Sequence, residues 1–131
     1  MSEQPEPDQI QVFALDRAEG MSPLEGIEMR AVFGAGASLN LITLEAGAEI
    51  PPHTHPHEQI GIVVEGVEIL LVEGREYHLG PMQAYVVPSE VEHGAFGGPE
   101  GCAVLDVFVP TREEYRGAAT AVRDPAEYQR D

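Results

Sequence analysis

Pro51-Pro52-His53-Thr54-His55-Pro56-His57-Glu58-Gln59 gathers three of the chain's five histidines into one short stretch. In an extended segment side chains alternate between faces, so His53 and His55 point the same way, as two imidazoles on one metal ion must. Gln59 shares that parity and opens an apolar run, whereas Glu58 has the opposite parity and is expected to face out. His57 also shares the parity, which makes it a rival ligand, but Pro56 before it is expected to bend the chain and break the alternation. A histidine-rich loop can be merely polar and exposed. An H-x-H pair framed by rigid prolines and entering a buried strand points instead to metal binding.

Outward from this stretch lie short β-rich pieces: Ile27 to Phe33, Ser38 to Leu44, Gln59 to Val64, Val67 to Val72, Glu76 to Leu79, Ala84 to Val87 and Cys102 to Val109. Gly34-Ala35-Gly36, Ala46-Gly47, Glu65-Gly66, Glu73-Gly74, Gly80-Pro81 and Gly97-Gly98-Pro99 read as the turns between them. Strands at this spacing predict an all-β sandwich or barrel. Only the end reads as helical: Thr111 can cap a first turn containing Glu113 and Glu114, alanines carry it on, and Asp124-Pro125 stops it. The expected organisation is a disordered acidic tail over 1–9, one barrel domain over 10–116 and a C-terminal helix or tail over 117–131.

A length of 131 residues suits one domain and leaves no room for a second. Seven basic residues, all arginine, stand against 23 acidic ones, a formal charge of −16. The absence of lysine excludes Schiff-base chemistry, pyridoxal-phosphate attachment and a P-loop. An acidic surface repels phosphates, so nucleic acid is set aside as a partner. Cys102 is the only cysteine, and its apolar setting predicts a buried small hydrophobe rather than a nucleophile. The N-terminus lacks the pattern of a signal peptide and no apolar run is long enough to span a membrane, so a cytoplasmic protein without a membrane partner is expected. His78 reads as a surface histidine, and Met21, Met29 and Met82 as packing residues.

Gly47, His53, His55, Gln59 and Gly66 resemble the first motif of the cupins, G-x5-H-x-H-x3-E-x6-G, with every spacing matched and glutamine in the glutamate place. Pro88, Glu90 and His93 resemble the second, P-x-G-x2-H, with Glu90 where glycine is usual. The glycine that normally opens that motif is replaced by Met82. These departures concern a turn and not a ligand. The resemblance, over roughly residues 34 to 112, implies a single antiparallel cupin β-barrel, a double-stranded β-helix or jelly roll. It also implies one divalent transition metal held by His53, His55, Gln59 and His93. A neutral amide in place of a carboxylate weakens binding and leaves the metal a stronger Lewis acid, and such a neutral set suits Mn, Fe, Co, Ni or Zn alike.

The stretches His53 to Gly61 and Leu105 to Tyr115 look like small cupins of pectin and alginate breakdown, which open the ring of 4,5-unsaturated uronates to linear keto sugars. In those proteins the D-x-F-x-P-x-R-E stretch lines the pocket, here Asp106, Phe108 and Arg112. The resemblance implies Asp106 as the acid and base, Arg112 as the contact to a carboxylated sugar and Phe108 as packing against the ring. Asp106 and Phe108 share strand parity, so one strand can present both inward. Asp106 could otherwise be a structural carboxylate bonded to Arg112, and Arg112 the basic half of a salt bridge at the helix start. Two other functions fit a cupin: a metal-dependent oxygenase, polyketide-tailoring enzyme or lyase on another small oxygenated substrate, and a non-catalytic metal or ligand sensor. Exposed sheet edges and the N-terminal segment lead us to expect a homodimer.

Overall fold

Alternation of apolar and polar side chains builds the first two strands, β1 (Ile27–Phe33) and β2 (Ser38–Leu44), which pair antiparallel and bury every second residue. They belong to a computed structural model that describes residues 10–18 and 20–112. The remaining strands are β3 (Glu49–His53), β4 (Glu58–Val72), β5 (Arg75–Leu79), β6 (Ala84–Val87) and β7 (His93–Val109). A 3-10 turn at Leu15–Arg17, which the sequence did not announce, is the helical element among the described residues. Thr111 and Arg112 carry no helix, and the expected helix beyond them and the tail over 1–9 lie outside the described residues.

All pairings are antiparallel, and two long strands organise them. The first half of β4 lies between β6 and the end of β7, and β2 and then β1 extend that sheet. The second half of β4 lies between β5 and the start of β7, and β3 lies beyond it. One polypeptide thus forms two layers that share β4 and β7. This is the jelly-roll arrangement of the cupin fold.

Two expected turns are corrected by this geometry. Glu65-Gly66 and Gly97-Gly98-Pro99 do not end strands: β4 and β7 run through them with shifts of register. Between the pairs Gly66↔Cys102 and Glu68↔Gly97, β4 has one residue and β7 has four, so the glycines bend a continuous ladder. Gly66 and Gly101 adopt positive φ there, and a Cβ on either would strike backbone atoms. Glu49–His53 is also a strand, although prolines at 51 and 52 hid it.

The core between the layers is built from Ile27, Met29, Ile42, Leu44, Val63, Cys102 and Val104. Cys102 is buried as expected, and burial pushes its thiol up to about 12, which leaves it inert as a nucleophile.

Candidate metal centre

The inner face of the first sheet can be followed row by row. Ile27, Leu44 and Cys102 form one row, and Met29, Ile42, Val104 and Val63 the next. The following two rows change character: Asn40, Asp106, Gly61 and Tyr85, then Ser38, Phe108, Gln59 and Val87. Hydrocarbon fills one end of the barrel and polar chemistry the other.

His53 ends β3 and pairs directly with His93, which opens β7; their rings lie 4.5 Å apart. His55 follows, and the turn before β7 is bonded to it, since the Glu90 N–H donates to the His55 carbonyl at 2.8 Å. That turn uses left-handed backbone at Glu90, with φ 68°, the conformation for which glycine is usual. Met82, the other replaced glycine, has φ 70°. Both departures from the motif therefore keep the glycine geometry with a side chain attached.

The three imidazoles of His53, His55 and His93 offer ligand atoms within 4.8 Å of one another. Each is oriented by a backbone carbonyl: Nδ1 of His53, His55 and His93 lies 2.9, 3.0 and 2.8 Å from the oxygens of Pro51, His57 and Val91. A carbonyl only accepts, so Nδ1 carries the hydrogen and the Nε2 lone pair faces inward. Burial lowers the pKa of His55 and His93, which keeps them neutral. Gln59 Oε1 lies 3.1 Å from Nε2 of both His55 and His93. The Gln59 amide also meets the Asp106 carboxylate and the Tyr85 hydroxyl, so its NH2 faces the acid and its oxygen faces the histidines. Converging lone pairs with no hydrogen between them are a donor set for a cation. The residues fit a divalent metal.

The alternation expected to break at Pro56 continues through it: His55, His57 and Gln59 are all buried while Thr54, Pro56 and Glu58 are exposed. His57 nevertheless stands outside the three-histidine cluster, packed edge-on to Phe108 and contributing its carbonyl to His55. Glu58 faces out as expected, and His78 is exposed beside Glu76.

Asp106, Phe108 and Arg112 line one cavity with His53, Gln59 and His93. Its volume is about 110 Å³, several times the roughly 10–15 Å³ that one water needs. Ile27, Met29, Ile42, Ile50 and Leu70 supply an apolar side. The Arg112 guanidinium stacks over the Phe108 ring at 4.9 Å, a cation–π contact that aims it along the wall. Asp106 is 2% exposed, and its Oδ1 accepts a hydrogen bond from the Tyr85 hydroxyl at 2.6 Å. Burial raises its pKa to about 6, while Tyr85, Gln59 and Arg112 oppose that rise.

Two polar groups near Asp106 escaped the sequence reading. Tyr85 reaches Asp106 because Gly61 stands between them in the row, where a Cβ would collide with Asp106 Oδ1 and the Tyr85 ring. Glu68 is 3% exposed and also lines the cavity. Counted from Gln59 it has outward parity, but the β4 bulge reverses the count.

A two-layered antiparallel fold with inward histidines on its strand ends defines the cupin class. The chain belongs to it: the cupin domain family matches residues 40–108. Over 70 residues it is 33% identical to the pectin degradation protein KdgF of Dickeya dadantii (strain 3937), covering 53% of this chain and 64% of that protein. The structure of KdgF from Halomonas sp. superposes with a TM-score of 0.72 at 30% identity, covering 78% of this chain and 96% of that one. The chain is also 33% identical over 58 residues to the HTH-type transcriptional regulator PuuR of Escherichia coli (strain K12), 44% of this chain and 31% of the regulator. It thus spans about a third to two thirds of these curated relatives. No helix among the described residues is long and apolar enough to cross a membrane.

Proposed function

We propose that this cupin is a metal-dependent enzyme that opens the ring of 4,5-unsaturated uronates to linear keto sugars. The observation that carries the reading is Asp106, a buried carboxyl raised to about 6, in one cavity with the Arg112 guanidinium and with His53 and His93 of the three converging histidines. Likeness to the two KdgF proteins supports it.

In this reading His53, His55, His93 and Gln59 hold a divalent metal, which supplies Lewis-acid polarisation of substrate oxygens. Arg112 takes the uronate carboxylate in a bidentate contact, and Phe108 packs against the ring. Asp106 accepts the proton of the hemiacetal hydroxyl as the ring C–O bond breaks. The ring oxygen leaves as an enolate, and Asp106 returns that proton to the enolate carbon so that the oxygen becomes a ketone. No proton is gained or lost overall, so a group that accepts and releases near neutrality suits the task.

The test is to load the protein with each of several divalent metals, add unsaturated galacturonate or mannuronate-derived monomers, and follow the loss of double-bond absorbance. Wild type is expected to accelerate that loss, and His93→Ala, which removes a ligand, is not. Asp106→Asn is expected to retain metal and fold while losing about 10²–10⁴ in rate. No metal giving a rate above the spontaneous one would overturn the reading.

A further inference from the structure

Three buried side-chain atoms have no hydrogen-bond partner among the described residues: Asn40 Oδ1, His57 Nδ1 and Glu68 Oε1. Of these residues, Glu68 is the one that lines the cavity. It is 3% exposed, so bulk water does not account for a carboxyl there. A buried acceptor left unpaired keeps the whole penalty of its lost hydration, and one that faces a cavity is satisfied when something in the cavity donates to it.

The place of Glu68 in the barrel decides which part of a ligand it meets. Along β4 and β7 the inward pairs run Val72↔His93, Leu70↔Ala95 and Glu68↔Gly97, and Ile50 of β3 also pairs with Ala95. The cavity therefore passes from the histidines, across an apolar row of Ile50, Ala95 and Leu70, to Glu68. Arg112 belongs to the histidine end, since its guanidinium lies over Phe108, the partner of Gln59 in the first sheet. A ligand whose carboxylate is held by Arg112 lays C–H groups on the apolar row and brings its far side to Glu68. That far side is uncharged, because an anion there would meet both Glu68 and the Asp106 charge that acts on it.

We propose that Glu68 is a specificity-determining residue for a hydroxylated ligand: its Oε1 accepts a hydrogen bond from a ring hydroxyl on the side away from the carboxylate. The oxygen has a lone pair to offer whether the carboxyl is ionised or not. Which hydroxyl it takes rests on the ring-opening reading. In a uronate ring C2 lies opposite C5, the carbon that bears the carboxylate, and next to C1, whose hydroxyl gives its proton to Asp106. The C2 hydroxyl is the one that reaches Glu68. A ring without it leaves Oε1 orphaned and is rejected for that reason.

Calorimetric binding of galacturonate and 2-deoxygalacturonate, which lack the double bond and cannot react, to the full chain in the presence of zinc tests this. Wild type is expected to favour galacturonate by about tenfold. Glu68→Gln keeps an acceptor oxygen and is expected to hold that preference within about threefold, whereas Glu68→Met, of similar size without one, binds both acids alike. The ratio cancels any general loosening of the site, so a merely structural role would leave it unmoved. An equal preference in Glu68→Met and wild type, no preference in wild type, or binding of neither acid would overturn the proposal. Should Glu68→Met not fold, carbon-13 spectra of wild type labelled at its glutamate carboxyls decide the matter. The signal that Glu68→Gln lacks is expected to shift with galacturonate and not with the 2-deoxy acid; a shift with both or with neither counts against the proposal. The ring-opening reading is judged separately, by turnover of the unsaturated uronate. A chain that shows the Glu68-dependent preference and opens no ring keeps this assignment and loses that reading.

Discussion

At the scale of single residues, Gln59 connects the two halves of the site. Its oxygen faces the histidines and its NH2 faces Asp106 and Tyr85. The glutamate usual in the motif would turn a second carboxylate toward Asp106, where a buried like-charge pair forces one member to hold a proton. Gln59→Glu is therefore expected to bind metal more tightly, seen as slower loss to a chelator, and to turn over more slowly. Faster turnover together with weaker retention would contradict this account. Glu68 makes a second prediction at this scale. Its pKa rises from an ordinary 4.5 to about 8 on folding, so the folded chain keeps a proton that the unfolded chain has already released. Its contribution to stability is fully present below about pH 4.5 and is lost as pH rises through about 8, on the order of a few kcal/mol. The melting temperature of the metal-free protein should fall across that window, and Glu68→Gln should flatten the slope; identical slopes would refute the assignment.

At the scale of elements, the turns repeat one lesson. Gly47 and Gly66 of the first motif have positive φ, and so do Met82 and Glu90, which stand where the second motif usually has glycine. A non-glycine residue in the left-handed region costs roughly 1–2 kcal/mol. Glu90→Gly and Met82→Gly should each raise the melting temperature by a few degrees, net of the greater freedom of glycine in the unfolded chain, with metal binding unchanged. A fall in both would show that these turns are not strained. The strands carrying Asp106 and Phe108 were legible because nothing interrupts the alternation from Cys102 to Val109. Glu68 was not, because a bulge conserves strand identity while reversing which face each residue takes, and period-two counting cannot register it. Tyr85 was hidden for another reason: its role depends on the missing side chain of Gly61, a residue one strand away. Pro56 misled in the opposite sense, since proline's missing N–H does not disturb alternation where no ladder bond is needed.

At the scale of the whole molecule, the outer face of the first sheet carries the rows Val86–Ile60–Val107–Leu39 and Ala84–Ile62–Leu105–Leu41, apolar across β6, β4, β7 and β2, with Arg30 of β1 at the end of the second. Ile60 is 43% exposed and Val86 57%. On a chain of charge −16 an apolar patch of this kind is where a second copy can approach with least repulsion. Light scattering should report a homodimer, and Ile60→Glu combined with Val86→Glu should convert it to a monomer that keeps its fold. A wild-type mass equal to one chain would remove the expectation. A different consequence follows from the three carbonyls that orient the imidazoles. Because backbone atoms, and not a cation, set each ring, the nest is ready as soon as the strands have paired. Folding and loading are then separate events. On the proposed reading the polypeptide would fold without metal and remain competent to take one up, and the ion it carried would follow the supply it met and not the order of its own assembly.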